Sequence, residues 1–149
     1  MREIMFRGKR IDTGEWAFGF LDKRPSPIQI GDGSPWIIHT PPVDPDDEGG
    51  LYNVQPETVG QFTGFRDSAK NRIFDGDVLH FSETSFPDGE ILPAWNALVL
   101  WADGGWVLRH KKAESGFLDV LEEDVAQEAT IAGNIYDNPQ LMEVTDDGI

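Results

Sequence analysis

The stretch Val54-Gln55-Pro56-Glu57-Thr58-Val59-Gly60-Gln61-Phe62-Thr63-Gly64-Phe65, resumed in Arg72-Ile73-Phe74-Asp75-Gly76-Asp77-Val78-Leu79, decides how the rest of the chain is read. Pro56 at a first helical position, with Glu57 after it, suits a single 3₁₀ or α turn. Beyond it, aromatic residues stand beside Gly60, Gly64 and Gly76. Glycine permits both the backbone angles and the close approach that a small β structure needs at its corners. Asp75 and Asp77 around Gly76 can bond nearby amides, and Gln61 and Thr63 can satisfy backbone groups at the bends. The stretch has no paired general acid and nucleophile, no metal-ligand spacing and no phosphate cradle. It is a signature of strands and turns.

The flanking sequence continues in that manner. Met5 to Arg10, a turn at Asp12-Thr13-Gly14 and the run Trp16-Ala17-Phe18-Gly19-Phe20 form a hairpin pattern. By the two-residue period of a strand, Trp16, Phe18 and Phe20 share one face and Ala17 and Gly19 leave the other nearly bare. A bare face is either covered by a neighbouring backbone or open to solvent, and Gly19 is a candidate bulge. Packing in a core is the reading for most of Trp16, Phe18, Phe20, Trp101 and Trp106. Trp36-Ile37-Ile38-His39 and Leu51-Tyr52-Asn53-Val54 read as further strands, separated by a proline-rich acidic loop over 40–50. Val78-Leu79-His80-Phe81 is a strand, Ser82 to Pro93 an exposed excursion, and Ala97 to His110 a hairpin turning at Asp103-Gly104-Gly105. Phe117 to Val125 fits a helix or an extended edge, Thr130 to Tyr136 a final strand, and Asn138-Pro139-Gln140-Leu141-Met142 one helical turn.

Composition agrees with a β-rich chain. The sequence has 149 residues with ten Pro, sixteen Gly, five Trp and nine Phe, and 39% of it is apolar, enough for a hydrophobic core. With no cysteine, neither a disulfide framework nor a thiolate zinc site is available, and a reducing compartment, the cytosol, is the expectation. No apolar stretch approaches the length of a membrane span or the core of an export signal, so no membrane association is expected.

The formal net charge is −15, unevenly placed. All twelve basic residues lie within 2–24, 66–72 and 109–112, and the last 37 residues carry ten carboxylates and no cation. Such an end repels phosphate backbones and favours cationic partners, so no direct nucleic acid binding is expected. It is either a solvated surface that keeps the protein soluble or an acidic imitation of a phosphate backbone.

Three segments together carry a resemblance: Met1 to Arg10 with Gly14-Glu15-Trp16, Pro56 to Gly64 through Asp75-Gly76-Asp77-Val78, and Gly133-Asn134-Ile135-Tyr136-Asp137-Asn138-Pro139. In order and spacing they resemble the YopX family, small proteins encoded by bacteriophages and prophages. The resemblance implies a small SH3-like β-barrel with additional strands and hairpins and one or two short helical turns. It implies no established activity and transfers no catalytic, cofactor-binding or metal-binding residue. One departure stands out. Where relatives commonly have Asp-Lys-Asn-Gly, this chain has Asp67-Ser68-Ala69-Lys70-Asn71, and Asn71 is the candidate for the positive φ that the missing glycine would accept.

One domain over 1–149 is expected, with an N-terminal hairpin subregion at 1–50, mobile loops near 40–50 and 82–93, and a frayed tail at 144–149. Chemistry is weighed on few residues. Glu57, Asp67, Asp75 and Asp77 are either turn formers or an acidic cluster able to serve a hydrolase. His39, His80 and His110 lie near the ends of separate strands without ligand spacing. The run Asp44-Pro45-Asp46-Asp47-Glu48-Gly49 lacks the ordered ligands of a calcium loop, and Gly31-Asp32-Gly33-Ser34 is a turn more than a phosphate loop. No site residue and no cofactor is therefore assigned. The expected function is that of a phage or prophage accessory protein acting by protein contact or self-association on an unknown partner. The rivals are a nucleic-acid mimic inhibiting a DNA-binding host protein and a carboxylate-dependent hydrolase. Function is expected in the acidic C-terminal third and the loops at 40–50 and 82–93.

Overall fold

The computed structural model describes residues 4–23, 36–42, 46, 49–102, 104–110 and 118–142. The chain divides into two compact units, Met1–Phe62 and Thr63–Ile149. The subregion expected at 1–50 lies within the first.

The first unit is an antiparallel sheet. Strands β1 (Phe6–Lys9), β2 (Trp16–Asp22), β3 (Trp36–Thr40), β4 (Gly50–Val54) and the opening of β5 (Gly60–Arg66) stand in the order β4-β3-β2-β1-β5. The hairpin joining β1 to β2 is closed by Arg10 N donating to Glu15 O (2.8 Å) and Gly14 N donating to Arg10 O (2.9 Å). The expected 3₁₀ turn forms at Pro56–Thr58. Thr58, buried there, donates its hydroxyl to Gln55 O (2.7 Å) and accepts from Lys9 N (2.9 Å).

The bare face of β2 is the buried one. Ala17, Ile38 and Val54 form the core of this unit, with Phe6, Leu21, Trp36, Tyr52 and Val59 packed around them. Packing in a core was the expectation for Phe18 and Phe20, and the structure corrects it, for they are 41% and 60% exposed. The reason lies at Gly19 (φ +156), where an added Cβ would run into the main-chain carbonyl of His39. The β3 backbone occupies the space a side chain would need, so bulk on the core side comes from other strands. Trp16 on the outward face is half-buried, with the Arg7 guanidinium 4.5 Å and Lys9 Nζ 5.8 Å from its ring centroid. Replacing Phe20 by serine is therefore expected to cost less than about 1 kcal/mol of stability, whereas Ile38→Ala costs about 2–5 kcal/mol. Urea denaturation of the two variants checks the assignment.

The second unit pairs β6 (Arg72–Phe74) with the remainder of β5, and builds a separate antiparallel sheet. That sheet holds β7 (Asp77–Phe81), β10 (Trp95–Ala102), β11 (Gly105–His110), β12 (Leu118–Val120) and β13 (Ala129–Asn134), in the order β12-β11-β10-β7-β13. Its core includes Ile73, Leu79, Ala97, Val99, Trp106 and Leu108. The expected hairpin over Ala97 to His110 forms, with Leu100 opposite Val107 and Trp101 opposite Trp106. Trp106 enters the core, while Trp101, at the hairpin's end, meets it edge-on at 5.0 Å and is 55% exposed. Core packing thus holds for Trp106 and is corrected for Trp101.

Both readings of 117–125 prove partial. Leu118–Val120 is the edge strand β12, and the helix α1 spans Glu123–Gln127. The final strand carries a register shift between Ile131 and Gly133. A 3₁₀ turn follows at Pro139–Met142. The excursion at 82–93 is exposed but ordered in part as a hairpin of β8 (Thr84–Ser85) and β9 (Ile91–Leu92), closed by Phe86 N donating to Glu90 O (2.9 Å). Most of the loop expected between Thr40 and Gly50, residues 31–34 and the tail at 144–149 lie outside the described residues.

The architecture is mainly β, as expected, with multiple antiparallel sheets and, among the described residues, one α-helix. The sheets have distinct end strands, and closure into an SH3-like barrel is not shown by this order. Among the described residues, no helix is long and apolar enough to cross a membrane.

Candidate functional site

The carboxylates that could have formed a catalytic cluster are divided between different tasks. Asp67, only 3% exposed, holds the bend after β5. Its Oδ1 accepts from Ala69 N and Asn71 N, both at 2.9 Å, and its Oδ2 accepts from Ile131 N at 3.0 Å. Asp77, 1% exposed, accepts from Phe74 N at 2.7 Å and so fixes the turn that launches β7. A buried carboxylate that collects backbone N–H groups is a cap for a bend. Asp75 is half-buried beside Gly76, and Glu57 is exposed on the first 3₁₀ turn. Thr63, 1% exposed, donates to Ile73 O (2.8 Å) and accepts from Phe65 N (3.1 Å), as expected of a bend residue. The positive φ of the Asp67–Asn71 bend falls on Lys70 (φ +68) and not on Asn71. Asn71 instead donates to Asp67, which fixes its backbone and moves the left-handed position one residue back.

The C-terminal motif is structural in the same way. Asn134 Oδ1 accepts from Tyr136 N (3.0 Å) and Asp137 N (2.9 Å), and its Nδ2 donates to Asp137 Oδ2 (3.1 Å). Gly133 leaves the space that the Asn138 side chain fills, since an added Cβ would meet it.

The histidines have local partners. His39 Nε2 lies 3.6 Å from an Asp22 carboxylate oxygen, His80 Nδ1 lies 2.8 Å from Asn96 Oδ1, and His110 stacks on Trp95 at 4.5 Å. Among the described residues, no group of three or more His, Cys, Asp or Glu side chains is placed to hold a metal ion. An electrostatic clamp stands in the first hairpin. There Arg10 donates to both carboxylate oxygens of Asp12 at 3.0 and 2.8 Å. That hydrogen bond holds the Asp12 carboxyl below its ordinary value and raises the Arg10 guanidinium.

Two surfaces remain as candidates for recognition. The first is the outward face of the β2-β3-β4 sheet. Phe20 lies opposite His39, and His39 opposite Leu51, so the three share that face, with Phe18 further along β2. Leu51 is 68% exposed.

The second lies within the second unit, a cavity of about 580 Å³ bounded by the β8–β9 hairpin, β12 and α1. Its apolar wall includes Phe81, Leu92, Trp95, Leu108 and Val125. Its charged lining is Glu83, Asp119, Glu122 and Glu128, with no Lys or Arg among the described lining residues. Phe81 and His110 stack on Trp95 at 4.2 and 4.5 Å, nearly parallel to it in both cases. None of these lining residues was a candidate from sequence. Glu83 and Glu128 are 45 positions apart in the chain, and the pairing of β13 with β7, which sets Ala129 opposite Phe81, brings their segments together. The signals were regional: negative charge without a cation in the C-terminal third, and the 82–93 excursion, where function was expected and which supplies Glu83 and Leu92.

A family model described as YopX protein matches residues 20–143. The crystal structure of protein EF1440 from Enterococcus faecalis is similar with a TM-score of 0.55 and 18% sequence identity, covering 96% of this chain and 100% of that chain. At that identity the likeness speaks for the fold alone. Comparison with curated proteins gives no match.

Proposed function

Since the chain belongs to the YopX family, we propose that it is a non-enzymatic phage or prophage accessory protein that works in the host cytosol by protein contact. The observation that carries this reading is the outward face of the first unit, where Phe18, Phe20 and Leu51 stand 41%, 60% and 68% exposed. Large apolar side chains gathered on one sheet face are costly in water and mark surfaces that meet another protein. The buried carboxylates add support, since both oxygens of Asp67 and Oδ2 of Asp77 accept from backbone N–H groups that shape bends.

Cross-linking in host cells, with light scattering on purified protein, tests it. The wild type is expected to give a specific product with a host protein or a second copy, which Phe20→Ser/Leu51→Ser loses at unchanged circular dichroism. The same product with the double variant, or specific turnover abolished by replacing a single carboxylate, would overturn the proposal.

A further inference from the structure

We propose that the cavity between the β8–β9 hairpin, β12 and α1 receives a lysine side chain from a basic segment of a partner protein. The inference rests on the reading that this protein acts by protein contact, and it adds a second contact of stated chemistry.

The lining has two characters. Leu92, Leu108, Val125 and the rim of Trp95 offer an apolar wall, which suits a methylene stem. Glu83, Asp119, Glu122 and Glu128 supply carboxylates around it, all exposed at its mouth. Formal charges on the described lining sum to −4 with no cation to offset them, within a chain of net −15. An apolar ligand would leave those carboxylates uncompensated, and an anion would be repelled. What fits both is a side chain with a long apolar stem and a positive end.

Lysine suits it better than arginine for a geometric reason. Guanidinium recognition by an aromatic residue uses the ring face, and both faces of Trp95 are taken, by Phe81 at 4.2 Å and His110 at 4.5 Å. The pocket therefore offers ring edge and aliphatic wall to the stem, and carboxylates to a compact ammonium. Asp119 and Val120 belong to β12, the end strand of its sheet. Among the described residues no strand pairs with the outer edge of β12, so that edge can take an extended segment.

The test uses the full chain and a fluorescent Lys-Gly alternating peptide, at about 0.15 M salt, where the screening length is about 8 Å. Glu122→Gln/Glu128→Gln is expected to weaken binding about tenfold. The control Glu15→Gln/Glu57→Gln removes the same charge outside the cavity and is expected to change binding by less than about twofold. Acetylating the peptide lysines should abolish binding, and the NMR signals of Trp95 and Val125 should move on titration with the unmodified peptide. Equal weakening by the two double variants, or unmoved Trp95 and Val125 signals, would overturn the inference by reducing it to general polycation attraction. Its failure leaves the Phe20/Leu51 contact untouched, because that contact is read with different variants and a different product.

Discussion

Replacing Asp67 by alanine is expected to destabilise the second unit by about 3–4 kcal/mol, through the loss of charge-assisted bonds to backbone donors. The carboxylate accepts from three N–H groups belonging to two separate segments, Ala69 and Asn71 in the bend and Ile131 in β13. It is 3% exposed, so water cannot take its place at all of them. The bend has further backbone bonds, Lys70 N to Asp67 O (2.9 Å) and Ser68 N to Ala129 O (2.8 Å), which keep the segments near each other and bound the loss. Asp67→Asn separates the charge from the shape. An amide oxygen still serves Ala69 and Asn71, but its NH₂ then faces the Ile131 N–H, donor against donor, and about 2 kcal/mol is expected to go. Urea denaturation gives both numbers, and amide exchange should show Ile131 accelerated in both variants. A loss below about 1 kcal/mol for alanine would mean that the bend holds without its acid.

That result would also bear on why so little chemistry was legible in the sequence. An aspartate reads alike whether it caps a bend or serves a reaction; the difference is who donates to it. Asp67's third donor, Ile131, is 64 residues away, and no local pattern announces that distance. The strands were legible where period and turn chemistry agreed, as in Ala97 to His110, where Gly104 with φ +81 closes the hairpin. They were ambiguous where period alone spoke: of Phe117 to Val125, the described residues 118–125 take in an edge strand and the start of a helix that runs to Gln127, and a window averaged over both fits neither. The acidic C-terminal third was legible as a place for function but not as a site, because its carboxylates acquire a neighbourhood only when the sheet order sets 119–128 beside 82–92. Periodicity was read correctly in β2 and its sign was not, since which face is buried depends on what lies across the sheet.

The sign of that face makes Gly19→Ala the second large effect, with an expected loss of about 3 kcal/mol or more, at the upper end of what overpacking costs. The added Cβ would be driven into the His39 carbonyl and lie 3.1 Å from Thr40 Cα, and these are main-chain atoms that no rotamer change can move. Relief requires parting β2 from β3 at the pairs Phe20–His39 and Leu21–Ile38, and Ile38 is a wholly buried part of the core. Gly14→Ala is the matched comparison. Its φ is +76, yet no atom lies within 4 Å of the added Cβ. It should cost only the conformational penalty, about 1 kcal/mol. Urea denaturation of both variants, with amide exchange across β2 and β3, reads the difference. If Gly19→Ala costs no more than Gly14→Ala, the close approach of β3 does not dictate a bare core face on β2. The outward placement of Phe18 and Phe20, and the contact surface built on it, would then lose its physical cause.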